Sequence, residues 1–277
     1  MKLAILDLYD GTPNQGMRCI KEIANYYDKV IEWKVFDVRG KAELPKVEDF
    51  DIFIGTGGPG NPIVDVDGIW DKAFFKCIDQ IFEWNRRAGV VKKHAFFICH
   101  SFQMVTGHLS LAQISKRKSK SFGTFPLSVT DAGENDLVFQ GLPNPFYIAD
   151  FREFQVLEPK MDVFDKVGAS ILALEKIRTH VPLERAIMGI RYSEEIIGVQ
   201  FHPEADPDGM TVHFSQPERK DFIEENFGIE KYHLMINDLS DENKIPLTHK
   251  TILPNFLNHA IKSIKEERVE LEEVLSF

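Results

Sequence analysis

The apolar residues of the chain change period from segment to segment, and each change marks an element. Residues 2–8 form a short apolar run, broken by a loop signal at Asp10-Gly11-Thr12-Pro13-Asn14, and helical spacing then continues to about residue 28. Residues 31–38 alternate in the manner of a strand. Residues 51–56 are a second apolar strand that runs into Gly57-Gly58-Pro59-Gly60. Between 69 and 86, Ile69, Ala73, Phe74, Cys77, Ile78, Ile81 and Phe82 recur at helical spacing, residues 95–99 are wholly apolar, and residues 102–109 read as a helix. Strands alternating with helices at this spacing predict βαβ units and a parallel sheet covered on both faces.

The middle of the chain reads differently. Residues 122–130, 146–157, 171–175, 185–192 and 196–201 all carry strand patterns with turns between them, and the last leads into His202-Pro203-Glu204. After residue 209 the pattern is helical and charged. Residues 229–277 predict two or three helices joined by the polar turn 238–243, and the apolar face of Leu253, Phe256, Leu257, Ala260, Ile261 and Ile264 predicts packing on the same domain. The expected organisation is an α/β domain over residues 1–209 and a helical C-terminal extension over residues 210–277.

Composition narrows the function. With 33 basic against 43 acidic residues the net charge is −10, so a nucleic-acid backbone is excluded as the expected partner. The 22 phenylalanines are scattered and read as core packing. One basic run, Lys116-Arg117-Lys118-Ser119-Lys120, reads as a solvated loop after a helix, with an anion-binding or partner-docking patch as the sharper alternative. Three cysteines cannot close a set of disulfides and none has metal-ligand spacing, which fits a reducing compartment. The first apolar stretch is too short for a signal peptide and no run is long enough to span a membrane, so a cytoplasmic protein without metal or cofactor is expected.

Three segments carry candidate chemistry. Cys99 ends an apolar strand just before a helix. That turn lifts a nucleophile above the sheet edge, where the helix's first N–H groups favour a thiolate and an oxyanion. The alternative is a buried packing cysteine, which is the reading for Cys19 and Cys77. His202 and Glu204 are two apart in an extended segment stiffened by Pro203, so ring and carboxylate can meet, leaving the other ring nitrogen to take a thiol proton. The glycines after the second strand let backbone approach a ligand, with a tight turn as the alternative. The run lacks the spacing of a nucleotide-phosphate loop.

Together, Thr56-Gly57-Gly58-Pro59-Gly60-Asn61-Pro62, Ile98-Cys99-His100-Ser101-Phe102-Gln103 and Val199-Gln200-Phe201-His202-Pro203-Glu204 resemble, in order, the three signature segments of class I glutamine amidotransferases. Residues 123–157, with Gly141-Leu142-Pro143, are similar to the GMP synthase-like branch. The resemblance covers about residues 1–205. It implies a three-layer, flavodoxin-like, mostly parallel sheet with flanking helices. It also implies a Cys99-His202-Glu204 triad, an oxyanion hole from the backbone of Gly58 and His100, and Gln103 at the glutamyl part of the substrate. Gly57 joins the expected substrate contacts. Arg152 is read either as a partner for a substrate carboxylate or as a solvated surface residue.

Two departures stand out. The family usually has glycine two residues either side of the nucleophile, where this chain has Phe97 and Ser101. Phe97 therefore requires extra room below the turn. A His-Gly-Asp-like segment of the family is replaced by Asp150-Phe151-Arg152-Glu153-Phe154-Gln155. Without an ATP-binding loop, the resemblance implies glutamine hydrolysis for a separate ammonia-accepting synthetase subunit. The alternatives are a stand-alone γ-glutamyl peptide hydrolase, as found in the same branch, and a binding module without turnover. Residues 210–277 are expected to cap the sheet, form a homodimer contact, or dock a partner.

Overall fold

The computed structural model describes residues 1–11, 14–63, 68–177 and 184–275. Thr12 and Pro13 of the predicted loop, and the last two residues of the predicted C-terminal helices, lie outside them. The strands are β1 (Lys2–Asp7), β2 (Glu32–Asp37), β3 (Ile52–Gly55), β4 (His94–Ile98), β5 (Gln113–Val129), β6 (Phe146–Leu157), β7 (Ser170–Leu174), β8 (Ile187–Arg191) and β9 (Ile196–Val199). They form one sheet in the order β2-β1-β3-β4-β9-β8-β7-β5-β6. The half from β2 to β9 is parallel, as the βαβ pattern predicts, and the ladders from β9 through β8, β7 and β5 to β6 are antiparallel. The fold is therefore an α/β protein with a mixed sheet and flanking helices.

Alternation along the parallel strands explains the layering. Leu3, Ile5, Ile52, Ile54, Phe96 and Ile98 point into one core, and Ala4, Leu6, Phe53, Ala95 and Phe97 into the other. The first core is roofed by α1 (Gln15–Tyr26) and by residues of a long C-terminal helix. The second is roofed by α3 (Ile69–Asn85) and α4 (His100–His108), with α2 (Val38–Lys41) at its edge. Both faces are covered, so these strands read as continuous apolar runs. Short helices α5 (Asp131–Glu134) and α6 (Met161–Val167) fill turns of the antiparallel half.

After β9 come α7 (Pro207–Phe214), α8 (Pro217–Phe227), α9 (Ile229–Ser240) and α10 (Ile245–Leu275). Helices α7 to α9 build a third, smaller core against β5 and β6 around Met210, Phe214, Ile223, Tyr232 and Met235. In α10, Ile252, Leu253, Phe256, Leu257, Ala260 and Ile264 are wholly buried in the first core. Tyr27 donates to Asn258 at 3.1 Å, and Asn255 Nδ2 donates to the carbonyls of Leu137, Val138 and Gln140. Among the described residues no helix is long and apolar enough to cross a membrane.

The basic run is corrected by the structure. It lies inside β5, not in a loop after a helix, and forms a bulge: pairing with β6 jumps from Lys116↔Phe154 to Ser121↔Arg152. The basic run masked the strand: this stretch of β5 pairs only with β6 and keeps its lysines exposed, while Arg117 turns inward to Gln155 at 2.9 Å and Glu175 at 3.1 Å.

Candidate active site

The carboxyl ends of the parallel strands β3, β4 and β9 carry Gly57 and Gly58, Cys99, and His202 and Glu204, while Gln103 lies in α4 and Arg152 in β6. Cys99 adopts φ 49° and ψ −97°, a conformation rare for a residue with a side chain. Its N–H donates to Val199 of β9 at 2.8 Å and its carbonyl accepts from the Gln103 N–H at 3.0 Å, so strand and helix hold the turn from both sides. Such backbone costs about 1–3 kcal/mol and persists only where the surroundings enforce it.

Ser101, where the family usually has glycine, contributes to that enforcement. Its Oγ accepts from the Ile98 N–H at 2.8 Å and lies 2.7 Å from the Gly55 carbonyl oxygen. The room that Phe97 needs comes from its cross-strand neighbours. In register, Phe97 is flanked by Gly55 on β3 and Gly198 on β9. A Cβ on Gly55 would lie 2.8 Å from Phe97 Cδ1. The ring occupies space that side chains on neighbouring strands would otherwise fill, and packs edge-on to Tyr192.

His202 reaches the same place from β9. Its Nδ1 lies 2.8 Å from Glu204 Oε1, and the Cys99 sulfur is close enough to act on the charge of the ring. Burial opposes charge on the ring, but the Glu204 carboxylate and the Cys99 sulfur outweigh it and hold its pKa well above 6.5. Glu204 is fully buried, and its Oε2 has no hydrogen-bond partner. Gly57 makes room for the imidazole: a Cβ there would lie 2.9 Å from His202 Cε1. At Gly58 a Cβ would collide with the Leu8 carbonyl oxygen, so only glycine brings that backbone so close to the end of β1.

A cleft of about 490 Å³ opens beside Cys99, bounded by Gly58, His100, Gln103, Arg152 and Lys116. Gln103 Nε2 donates to Gln200 Oε1 at 2.9 Å and to the Phe154 carbonyl at 3.2 Å, and Gln200 Nε2 sits 3.7 Å from the Cys99 sulfur. Arg152 is not a solvated surface residue. Its side chain is 0% exposed, with ion pairs to Asp150 at 3.0 Å and Glu175 at 3.2 Å. Arg117 also pairs with Glu175, so this cluster holds two guanidinium groups against two carboxylates. The Arg152 Nη1 atom is buried without a hydrogen-bond partner.

The sequence did not point to Tyr9, Phe151 or Gln200. Tyr9 follows β1, and its hydroxyl lies beside Gly16 and Gly57. Burial, with Glu204 and Cys99 nearby, pushes its pKa well above 10. The one available signal was its place in the loop after a parallel strand, where ligands gather in open α/β sheets. Cys19 and Cys77 are buried, and burial raises their thiols to about 11 and about 12. Neither is bonded to a histidine.

The parallel half of a mixed sheet thus carries a strained cysteine at a strand-to-helix turn, beside a histidine-glutamate pair, in an α/β protein. Residues 4–219 match the family Glutamine amidotransferase class-I, and the chain belongs to that family. No curated protein sequence matches it. Among solved structures it is similar to a glutamine amidotransferase from Thermotoga maritima, with TM-score 0.66 and 17% identity over 94% of this chain and 97% of that one. A putative GMP synthase subunit from Thermoplasma acidophilum gives TM-score 0.51 at 19% identity, covering 74% and 85%. The glutaminase domain of a Trypanosoma brucei CTPS, solved with bound acivicin, gives 0.52 at 14%, covering 73% and 86%. At these identities the likeness is one of fold.

Proposed function

We propose that the protein hydrolyses a γ-glutamyl amide, with Cys99 as nucleophile, His202 as its acid and base, and Glu204 orienting the ring. The observation that carries this is the single chain of contacts Cys99–His202–Glu204 above the sheet edge. The Cys99 thiolate adds to the γ-carbonyl carbon, and the oxyanion is met by the backbone N–H groups of Gly58 and His100, which border the same cleft. The C–N bond breaks as His202 gives its proton to the leaving amine. Water, deprotonated by His202, then attacks the thioester. The C–S bond breaks, glutamate leaves, and the thiol is restored.

In this reading the glutamyl part lies in the cleft with Gly57 at its edge. Gln103 spends its amide hydrogens on Gln200 and Phe154, leaving Oε1 for the substrate's α-ammonium group. Arg152 serves the α-carboxylate through Nη1. Its charge is already balanced by acids, so it acts as a directional donor more than as an attracting charge. If ammonia is passed on, its acceptor would be a synthetase partner. A homodimer or partner contact through residues 210–277 would use the exposed faces of α8 and α9, since the apolar face of α10 is already buried. Three unpaired cysteines fit a cytoplasmic setting.

The test combines ammonia release from glutamine, glutamate release from γ-glutamyl dipeptides, and labelling by a glutamine-like electrophile. Covalent labelling at Cys99 with turnover of at least one substrate supports the proposal. Folded protein that neither turns over nor labels would instead be a binding module.

A further inference from the structure

A second cavity of about 410 Å³ adjoins His202 and Glu204. Tyr9, Phe122, Phe151, Met210 and Phe214 form its apolar wall, and His202 and Glu204 belong to its lining. Phe151 borders both this cavity and the cleft beside Cys99 and stands between them, with its ring centroid 6.2 Å from that of His202. The group that His202 protonates must lie against its ring. A cavity that His202 itself lines, outside the glutamyl cleft, is therefore placed to take what departs. Ammonia needs no such space. An apolar room of this size is matched by a large side chain or ring.

The rim carries charge. Arg219 of α8 borders the cavity and makes no ion pair among the described residues, whereas Asp206 on the same rim is taken by Arg18 at 2.7 Å. Nearby His213 is kept largely neutral: burial, with Arg219 beside it, lowers its pKa from 6.5. An unspent guanidinium over an aromatic chamber suits an amino acid with an apolar side chain and a free carboxylate.

From these features we infer that the cavity is a leaving-group subsite, and that the preferred substrates are γ-glutamyl derivatives of aromatic or large apolar amino acids. This rests on the hydrolase reading above and names its substrate class. The side chain would lie among Phe122, Phe151 and Phe214, and the carboxylate at Arg219.

The test is a kcat/KM series on the full chain with γ-glutamyl-phenylalanine, γ-glutamyl-glycine, γ-glutamyl-phenethylamine and glutamine. The expected result is γ-glutamyl-phenylalanine ahead of γ-glutamyl-glycine by at least about tenfold. In Arg219→Ala the advantage of γ-glutamyl-phenylalanine over γ-glutamyl-phenethylamine should disappear, chiefly through KM. Phe214→Ala should narrow the gap to γ-glutamyl-glycine; because the ring is buried, the wild-type series stands even if that variant does not fold. Cleavage of glutamine and γ-glutamyl-glycine with no gain from the phenylalanine overturns the subsite and leaves the Cys99 chemistry standing. No cleavage of any of the four, with Cys99 unlabelled in folded protein, overturns both.

Discussion

Glu204 holds His202 through one oxygen only. Oε1 lies 2.8 Å from Nδ1, while Oε2 is buried with no partner. The ring is the one hydrogen-bond partner of this carboxylate among the described residues, and its proximity, with that of the Cys99 sulfur, raises the pKa of His202 against the opposing effect of burial. Replacing Glu204 with Gln removes that charge but keeps the shape. Turnover is expected to fall by about 10²–10⁴-fold, as when a triad carboxylate is made an amide. The measurement is kcat alongside the rate of Cys99 alkylation. Unchanged values for both would remove Glu204 from the chemistry.

Cys99→Ala is expected to abolish turnover without unfolding the protein, because the small apolar side chain fits where a buried thiol sat. The positive φ remains in that variant and is relieved in Cys99→Gly. The strain released, about 1–3 kcal/mol, exceeds the entropy cost of glycine, about 0.5–1 kcal/mol. Urea midpoints should therefore rank Cys99→Gly at or above Cys99→Ala. The reverse order would mean that the turn is not strained.

Phe97 and Gly55 fit as a pair. Gly55→Ala would place a methyl 2.8 Å from Phe97 Cδ1 and 3.0 Å from Ser101 Cβ, and is expected to cost about 1–3 kcal/mol. Phe97→Ala opens a cavity and should cost about 3–5 kcal/mol. Combined, the two should cost less than their sum, because the methyl enters vacated space. Strictly additive losses in a double-mutant cycle would refute the pairing.

His94 couples stability to pH. It is 1% exposed, and neither ring nitrogen has a hydrogen-bond partner. Burial, with His259 and Arg191 nearby, lowers its pKa from 6.5 to about 4. The folded state thus resists a proton that the unfolded chain accepts. Stability is full above pH 6.5 and is lost as pH falls from there through 4, by on the order of 3 kcal/mol. His94→Phe should flatten this segment of the pH–stability curve relative to wild type. Parallel curves for the two proteins between about pH 7 and 4 would show that His94 contributes nothing.

The parallel half of the fold was legible because buried strands between covering helices must be apolar throughout, and Leu3–Leu6, Ile52–Ile54 and Ala95–Ile98 are. The strand carrying the basic run was harder to read. The stretch of β5 that carries the run is paired on one side only, with β6, and is broken by a bulge, so its lysines stay outward and Lys116 to Lys120 show neither periodicity nor apolar residues. Cys99, His202 and Glu204 stood out because each sits at the end of a recognisable strand pattern. Tyr9 and Phe151 did not, since their importance comes from contacts between segments far apart in sequence. The difficulty over Phe97 was seen in the sequence, but its resolution was not. Gly55 and Gly198 become neighbours of Phe97 only once the strand order is known.

Helix α10 spans 31 residues, a rod of about 46 Å at 1.5 Å per residue. Near one end His249 Nδ1 lies 3.2 Å from the Glu204 carbonyl oxygen, and near the other Arg268 pairs with Asp51 at 2.7 Å, ahead of β3. The helix thereby ties the backbone beside the candidate site to the opposite rim of the sheet. Clipping the chain at residue 219, where the family match stops, would strip away this brace and bare the apolar surface it covers. The portion that the family model matches is thus shorter than the portion that packs as one body, and one helix joins the Asp51 rim to the backbone of Glu204.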